Sequence, residues 1–405
     1  MADLLFLTQR IPYPPNKGEK LRGLNILRYL ATRFRVHLGA LVDDPADWEH
    51  RKVLDDLCAS TCLVPLHRAQ AKLLCLRGLL TGEALSVTYF RDRTLSRWVD
   101  GVLARRPAGV FVFSSNMAPY VMDAPPMPGQ RRVLELGDVD SEKWRSYAAT
   151  ARDPARRFVY GREARKVAAL ERRAAAFFDA SVMVSAPETA LLAGMAPESA
   201  SRIVTIASGV DHAYFDPALA QPNPYPPAPA SINGTDFVFT GTMDYPPNVD
   251  AVIWFATDVL PALRARVPGA RFWIVGHSPT AEVRKLAAQE GVHVTGRVED
   301  VRPWLRHAAA AVAPLRIARG IQNKVLEAMA MGRPVVASPE ALEGIEAVAG
   351  VDVLAAAGAE AFVAACAGVV ADPARAAGLG AAARARVLAD HVWAERLAAF
   401  DRLLG

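Results

Sequence analysis

The densest set of groups able to do chemistry lies in the segment 314–334, where Arg316, Arg319 and Lys324 precede a single acid, Glu327, in an otherwise apolar run. The pattern ends one strand, opens a helix near Ile321, closes it at Gly332 and enters another strand at 334–338. Unfilled backbone amides at such a helix start, beside Gly320 and Ile321 and flanked by three cations, have the chemistry of a pyrophosphate site. Glu327 stands alone among Val325, Leu326, Ala328, Met329, Ala330 and Met331. A carboxylate on so apolar a helix needs a partner. Lys324, three residues earlier on the same face, is one candidate, and the hydroxyl pair of a bound ribose is the other.

Two further polar residues sit where strands end. His277 follows the run 271–276 and either touches a nucleotide or is solvated; Asp138, just past the run 132–136, suits an acceptor hydroxyl. Trp144 serves as core or as a sugar-stacking platform. Neither candidate strand-to-helix turn carries G-x-G-x-x-G: the first runs from Pro12 through Lys17 and Gly18, the second from Gly241 and Thr242 through Asn248. No G-x-x-x-x-G-K-[ST] occurs either, which argues against a dinucleotide enzyme and an NTPase.

The elements that must hold these groups are short β-rich runs alternating with amphipathic helices. In the second half the runs are 237–241, 271–276, 292–296, 309–314, 334–338 and 351–354, and the stretch 248–266 presents Val249, Val252, Ile253, Ala256 and Leu260 on one helical face. The first half repeats the scheme with runs at 3–8, 36–42, 61–65, 109–113, 132–136, 180–184 and 203–206. Such alternation predicts parallel sheets wrapped by helices, with ligands at the C-terminal strand edges. Six prolines in 216–234 exclude regular structure there. The expected division is therefore a first domain at 1–216, a linker at 217–233 and a second domain at 234–405.

Composition agrees with two cores. A chain of 405 residues is long for one domain, and 52% hydrophobic with 22% charged residues describes a folded protein. Cys58, Cys62, Cys75 and Cys366 form no zinc pattern and are expected to be reduced thiols of a cytoplasmic protein. The first residues read as a strand and not as a signal peptide. Of the net charge of +5, residues 1–216 carry +6 and the remainder −1. Within 145–173, nine basic residues face three acids, so Arg156, Arg157, Arg162, Arg165 and Lys166 predict either a solvated helical face or a docking face for an anionic acceptor or membrane.

The run from Gly320 and Ile321 through Lys324 and Glu327 to Val336 resembles the donor-site signature of glycosyltransferase family four, the retaining GT-B enzymes. Ser208, Gly209, Val210 and Asp211 with Tyr214 and Phe215, then Phe239, Thr240 and Gly241, then Ile274, Val275 and Gly276, match in the same order. The stretches 10–18, 138–144 and 240–245 are similar to the narrower group of sugar transferases associated with PEP-CTERM/exosortase exopolysaccharide systems. The resemblance implies an α/β fold of two Rossmann-like domains facing each other across a cleft, with the last helix expected to pack back on the N-terminal domain. It implies a hexosyltransferase that moves a sugar from a UDP- or GDP-linked donor to a lipid-linked or polysaccharide acceptor, without nucleic acid, metal or other cofactor. The enzyme would be cytoplasmic or peripheral on the inner membrane.

By the same resemblance Glu327 holds the donor ribose, and Gly18 with Lys17 lets backbone amides approach the donor phosphate. Gly241, Thr242 and His277 line the donor, and Arg297 and Val298 lie near its base. Three positions depart from the pattern. Arg319 stands where a glutamate is usual, and Thr242 and Asn248 stand where cations are usual, so Arg316, Arg319 or Lys324 is expected to supply that charge. Glu327, Arg319 and Asp138 form the expected catalytic set. A sugar-nucleotide 2-epimerase and a non-catalytic nucleotide-sugar-binding subunit are the alternatives on the same frame.

Overall fold

The computed structural model describes residues 1–75, 77–227, 235–318 and 320–405. They form two compact units, Met1–Ile206 with Leu397–Gly405, and Ala207–Arg396. The first holds strands β1 (Asp3–Thr8), β2 (Arg35–Val42), β3 (Ser60–Pro65), β4 (Gly109–Phe113), β5 (Arg131–Gly137), β6 (Ala180–Met183) and β7 (Ile203–Thr205). They form one parallel sheet in the order β3-β2-β1-β4-β5-β6-β7. The second unit holds β8 (Asp236–Thr240), β9 (Arg271–Val275), β10 (Val292–Gly296), β11 (Ala310–Ala313), β12 (Val335–Ala337) and β13 (Leu354–Ala355), parallel in the order β10-β9-β8-β11-β12-β13. These are the two expected Rossmann-like domains. In each, the order reverses beside the first strand, which puts a topological switch point between β1 and β4 and another between β8 and β11.

The strands form because they are apolar on both faces, as helix-covered parallel strands must be. Leu4, Leu5, Phe6 and Leu7 of β1 are all fully buried, and the Phe6 ring stacks on Phe111 of β4 at 4.8 Å. Phe237 and Phe239 of β8 and Phe272 of β9 anchor the second core.

Three sequence expectations shift. The boundary falls after Ile206 and not at 216, because Val210 and Phe215 are buried in the second core and Val210 bridges Val392. The following proline-rich stretch is packed as far as residue 227: Tyr225 is buried against Trp273 and Trp304, and His307 Nε2 lies 2.8 Å from the Gln221 carbonyl. The rest of the expected linker, and Gly234 after it, lie outside the described residues.

The helix expected over 248–266 is divided into Pro246–Trp254, a π-turn at Phe255–Val259 and Leu260–Arg266. Pro261 has no N–H to donate four residues back, so the ladder widens there. Finally, 351–354 is mostly a turn, closed by Asp352 N donating to Val348 O, and only Leu354 reaches the sheet. At the chain end Phe400 is buried against Phe111 of the first unit. Among the described residues no single helix is long and apolar enough to cross a membrane.

Candidate functional site

At the switch point of the second unit, the loops after β8 and β9 are bound backbone to backbone. Gly241 N donates to Val275 O at 3.0 Å, Met243 N to His277 O at 2.9 Å and Thr280 N to Met243 O at 3.3 Å. A Cβ on Gly276 would stand 1.7 Å from Gly241 O, so only glycine permits this approach. Thr242 Oγ1 lies 3.3 Å from His277 Nε2, and His277 is half-buried at the rim. Arg297 and Val298 follow β10, the arginine exposed and the valine half-buried.

The helix after β11 spans Asn323–Ala330, two residues later than expected, and no side chain caps its start. Gly320 is buried with φ +62° and turns the chain into it; Ile321 is half-buried. Lys324 reaches from its first turn to the neighbouring helix Pro246–Trp254, where its Nζ donates to Asn248 Oδ1 at 3.1 Å. Asn248 Nδ2 in turn donates to Thr242 O at 2.9 Å, and the Lys324 ammonium stands 5.0 Å from the Phe239 ring centroid. The cation is thereby held over Gly241, at Asn248, where the resemblance leads one to expect a basic residue.

Glu327 is half-buried one turn further along, and among the described residues nothing donates a hydrogen bond or an ion pair to its carboxylate. Lys324, the candidate partner read from the sequence, gives its hydrogen bond to Asn248 and acts on Glu327 through its charge. Burial pushes the Glu327 carboxyl up to about 7, opposed by Lys324, and burial pushes the Lys324 ammonium down to about 8, opposed by Glu327. Beside Glu327 lies a group that spacing did not reveal. Tyr214 OH donates to Asp300 Oδ1 at 3.3 Å, and the Arg302 guanidinium covers the Tyr214 ring at 3.8 Å while pairing with Asp300. Tyr214 is pushed up by burial first and by Asp300, with Glu327 adding to the same effect.

The other expected cations differ. Arg316 pairs with Asp250 through Nε and Nη2 and packs toward Trp254. Arg319 lies outside the described residues.

The first unit has its own polar edge. Gln9, just past β1, donates to Glu19 Oε2 at 3.1 Å and accepts from Ser114 Oγ at 3.0 Å. Arg10 pairs with Glu19 and with Asp43. Ser114 has φ +85°, a strained value for serine, and the Ser115 hydroxyl and Asn116 Oδ1 are buried without a hydrogen-bond partner among the described residues. Asp138 follows β5, and burial pushes Asp140 up to about 6, with Lys143 opposing and Asp138 and Glu19 adding. Gln9, Ser114 and Asn116 were missed by sequence reading; the polar run 114–116 directly after an apolar strand was the available signal. Lys17 and Gly18 are exposed at the start of the helix Gly18–Ala31 in this unit.

The basic face is smaller than charge counting suggested. Arg156, Arg157, Arg165 and Lys166 are exposed, but Arg162 turns inward, its Nη2 donating to Gly78 O at 2.6 Å and Glu83 O at 2.9 Å. Its charge satisfies buried carbonyls and is not available to a surface partner.

Residues 234–372 match the family model described as glycosyl transferases group 1. Over its whole length the chain is similar to HepE of Anabaena solved with UDP and glucose, at 14% identity and TM-score 0.66, covering 100% of this chain and 99% of that one. It is similar to sucrose-phosphate synthase from Thermosynechococcus elongatus, at 18% identity and TM-score 0.69, covering 100% and 98%. It is also similar to WaaG, a glycosyltransferase involved in lipopolysaccharide biosynthesis, at 16% identity and TM-score 0.64, covering 99% and 100%. At these identities the likeness speaks for the fold, which is GT-B. None of the curated proteins compared with the chain matches it.

Proposed function

We propose that the chain is a retaining, metal-independent hexosyltransferase that takes a sugar from a UDP- or GDP-linked donor held by the second unit. The observation that carries this reading is the pairing, within the segment that matches the glycosyl transferases group 1 model, of a Glu327 that accepts no hydrogen bond from any described residue with a Lys324 fixed over the β8 turn by Asn248. The carboxylate has the chemistry to accept from both hydroxyls of a ribose. The ammonium and the uncapped amides of the Asn323–Ala330 helix have the chemistry to hold the diphosphate. As the glycosidic bond breaks, negative charge grows on the leaving diphosphate, and a preplaced cation offsets it without reorganisation. Gly241 and Gly276, lacking side chains, leave the backbone open to close approach by the phosphates.

The structures of HepE with UDP and glucose make a uridine donor the first to test. For the acceptor we propose a lipid-linked or polysaccharide glycan of an exopolysaccharide pathway, held near Asp138 of the first unit. WaaG, which acts in lipopolysaccharide biosynthesis, supports a glycan acceptor. Incubation with UDP- and GDP-sugars, with and without glycan acceptors, tests the proposal. Acceptor-dependent release of nucleoside diphosphate is the expected result. Isomerised sugar without acceptor would identify an epimerase, and tight nucleotide binding without either product a non-catalytic subunit.

A further inference from the structure

In the first unit the helix Asp140–Thr150 leaves the polar edge at Asp138 and turns at 151–153 into the helix Pro154–Phe177. Beneath this tip Trp144, Tyr147 and Tyr160 form a mutual aromatic cluster with centroids 5.6 to 6.0 Å apart. On its outside Phe158 is 68% exposed and Tyr147 37% exposed, large apolar groups left to water. Around them stand exposed Arg145, Arg152, Arg156 and Arg157. Among the described residues Arg152 and Arg157 have no ion-pair partner, and Arg145 and Arg156 pair only with Glu142 and Asp153 of the same hairpin. Exposed aromatic side chains among arginines are costly against water and fit the one environment that is both anionic and apolar within a few ångströms.

We propose that this hairpin tip docks on a bilayer of anionic lipid, the four arginines at the phosphate level and Phe158 in the boundary below them. An acidic protein surface would match the charges but offers no apolar layer for Phe158. The first helix has 11 residues, so the tip stands roughly 16 Å from the edge that holds Asp138, at 1.5 Å per residue. Docking would thus keep that edge within reach of a sugar borne on a lipid. Each cation near such a leaflet strengthens binding roughly fivefold.

The test is sedimentation of the full chain with vesicles at low salt. Wild-type protein is expected to sediment with phosphatidylcholine–phosphatidylglycerol vesicles and not with phosphatidylcholine alone. The triple variant Arg152→Gln/Arg156→Gln/Arg157→Gln is expected to bind roughly a hundredfold more weakly. Phe158→Ser is expected to lose about tenfold, a loss that persists as salt is raised. An equal charge removal in the second unit, Arg266→Gln/Arg284→Gln/Lys285→Gln, should bind as wild type does. The proposal is overturned if wild-type protein stays in the supernatant, or if the second-unit variant loses as much as the tip variant. It also falls if Phe158→Ser dissolves a dimer in solution while vesicle binding is unchanged, since the occupant is then a second copy. Vesicle binding is read without turnover, so its failure leaves the transferase proposal standing.

Discussion

The two units share a strand order through their first six strands but spend their charges differently at the switch point. In the first unit the carboxylates are already engaged by the protein: Glu135 by Arg22 at 2.8 Å and by Gly137 N at 3.0 Å, Glu19 by Arg10 and Gln9, Glu171 by Ser141. In the second unit no described residue donates to Glu327, while Lys324 is aimed by a neutral amide that orients it without neutralising it. Shared topology thus says where a ligand binds. Which groups remain electrostatically unspent says what kind of ligand each edge is built for.

The contrast is broken most directly by removing the second unit's cation. Lys324→Ala is expected to lower turnover by roughly 10²- to 10³-fold, the scale of one preplaced electrostatic stabiliser, with folding judged by the melting temperature. Arg319→Glu separates it from the other candidate cation: transfer at the wild-type rate in that variant would assign the diphosphate to Lys324 alone. Next in size is Glu327→Ala, expected to weaken nucleoside diphosphate binding by roughly 10- to 100-fold, as loss of charged hydrogen bonds does, without a matching fall in melting temperature. Binding needs Glu327 ionised and Lys324 protonated. Affinity measured by calorimetry should therefore rise with pH through about 7 and decline above about 8, and the rising limb should vanish in Glu327→Gln.

A finer test concerns the first unit. Asp138→Asn should slow transfer about tenfold while leaving nucleotide affinity unchanged, if that edge serves the acceptor. The smallest effect on transfer is expected at Glu171, where burial raises the carboxyl from its ordinary 4.5 to about 8 against the Ser141 donors. The folded state then holds a proton that the unfolded state has lost, so stability falls as pH rises across that window. Glu171→Gln keeps the oxygen acceptor and should melt as wild type does below pH ~4.5 and higher above pH ~8.

Twelve of the thirteen strands lie where apolar runs between turn residues place them, most plainly where burial on both faces leaves an unbroken signal, as in β1 and β4; β13 is the exception, since its expected run 351–354 is mostly a turn. The pieces of the candidate site were legible as a helix start with a lone acid. The Lys324–Asn248 contact was not, since the two stand 76 residues apart and meet only when neighbouring strands bring their helices together. The same holds for Arg162: counting charge does not reveal which cation meets the carbonyls of Gly78 and Glu83. The unit boundary was misplaced because prolines mark irregular chain, whereas Val210 and Phe215 join the second core by burial.

The contact between Gly276 and Gly241 bears on the thermodynamics of binding. Loops joined main chain to main chain by three hydrogen bonds have few alternative conformations left to surrender. A phosphate arriving there meets amides whose ordering cost fell due at folding, so little conformational entropy is lost on that wall of the site. Gly276→Ala would force the loops apart and move that cost back into the binding step, most visibly as a less favourable entropy of nucleotide association.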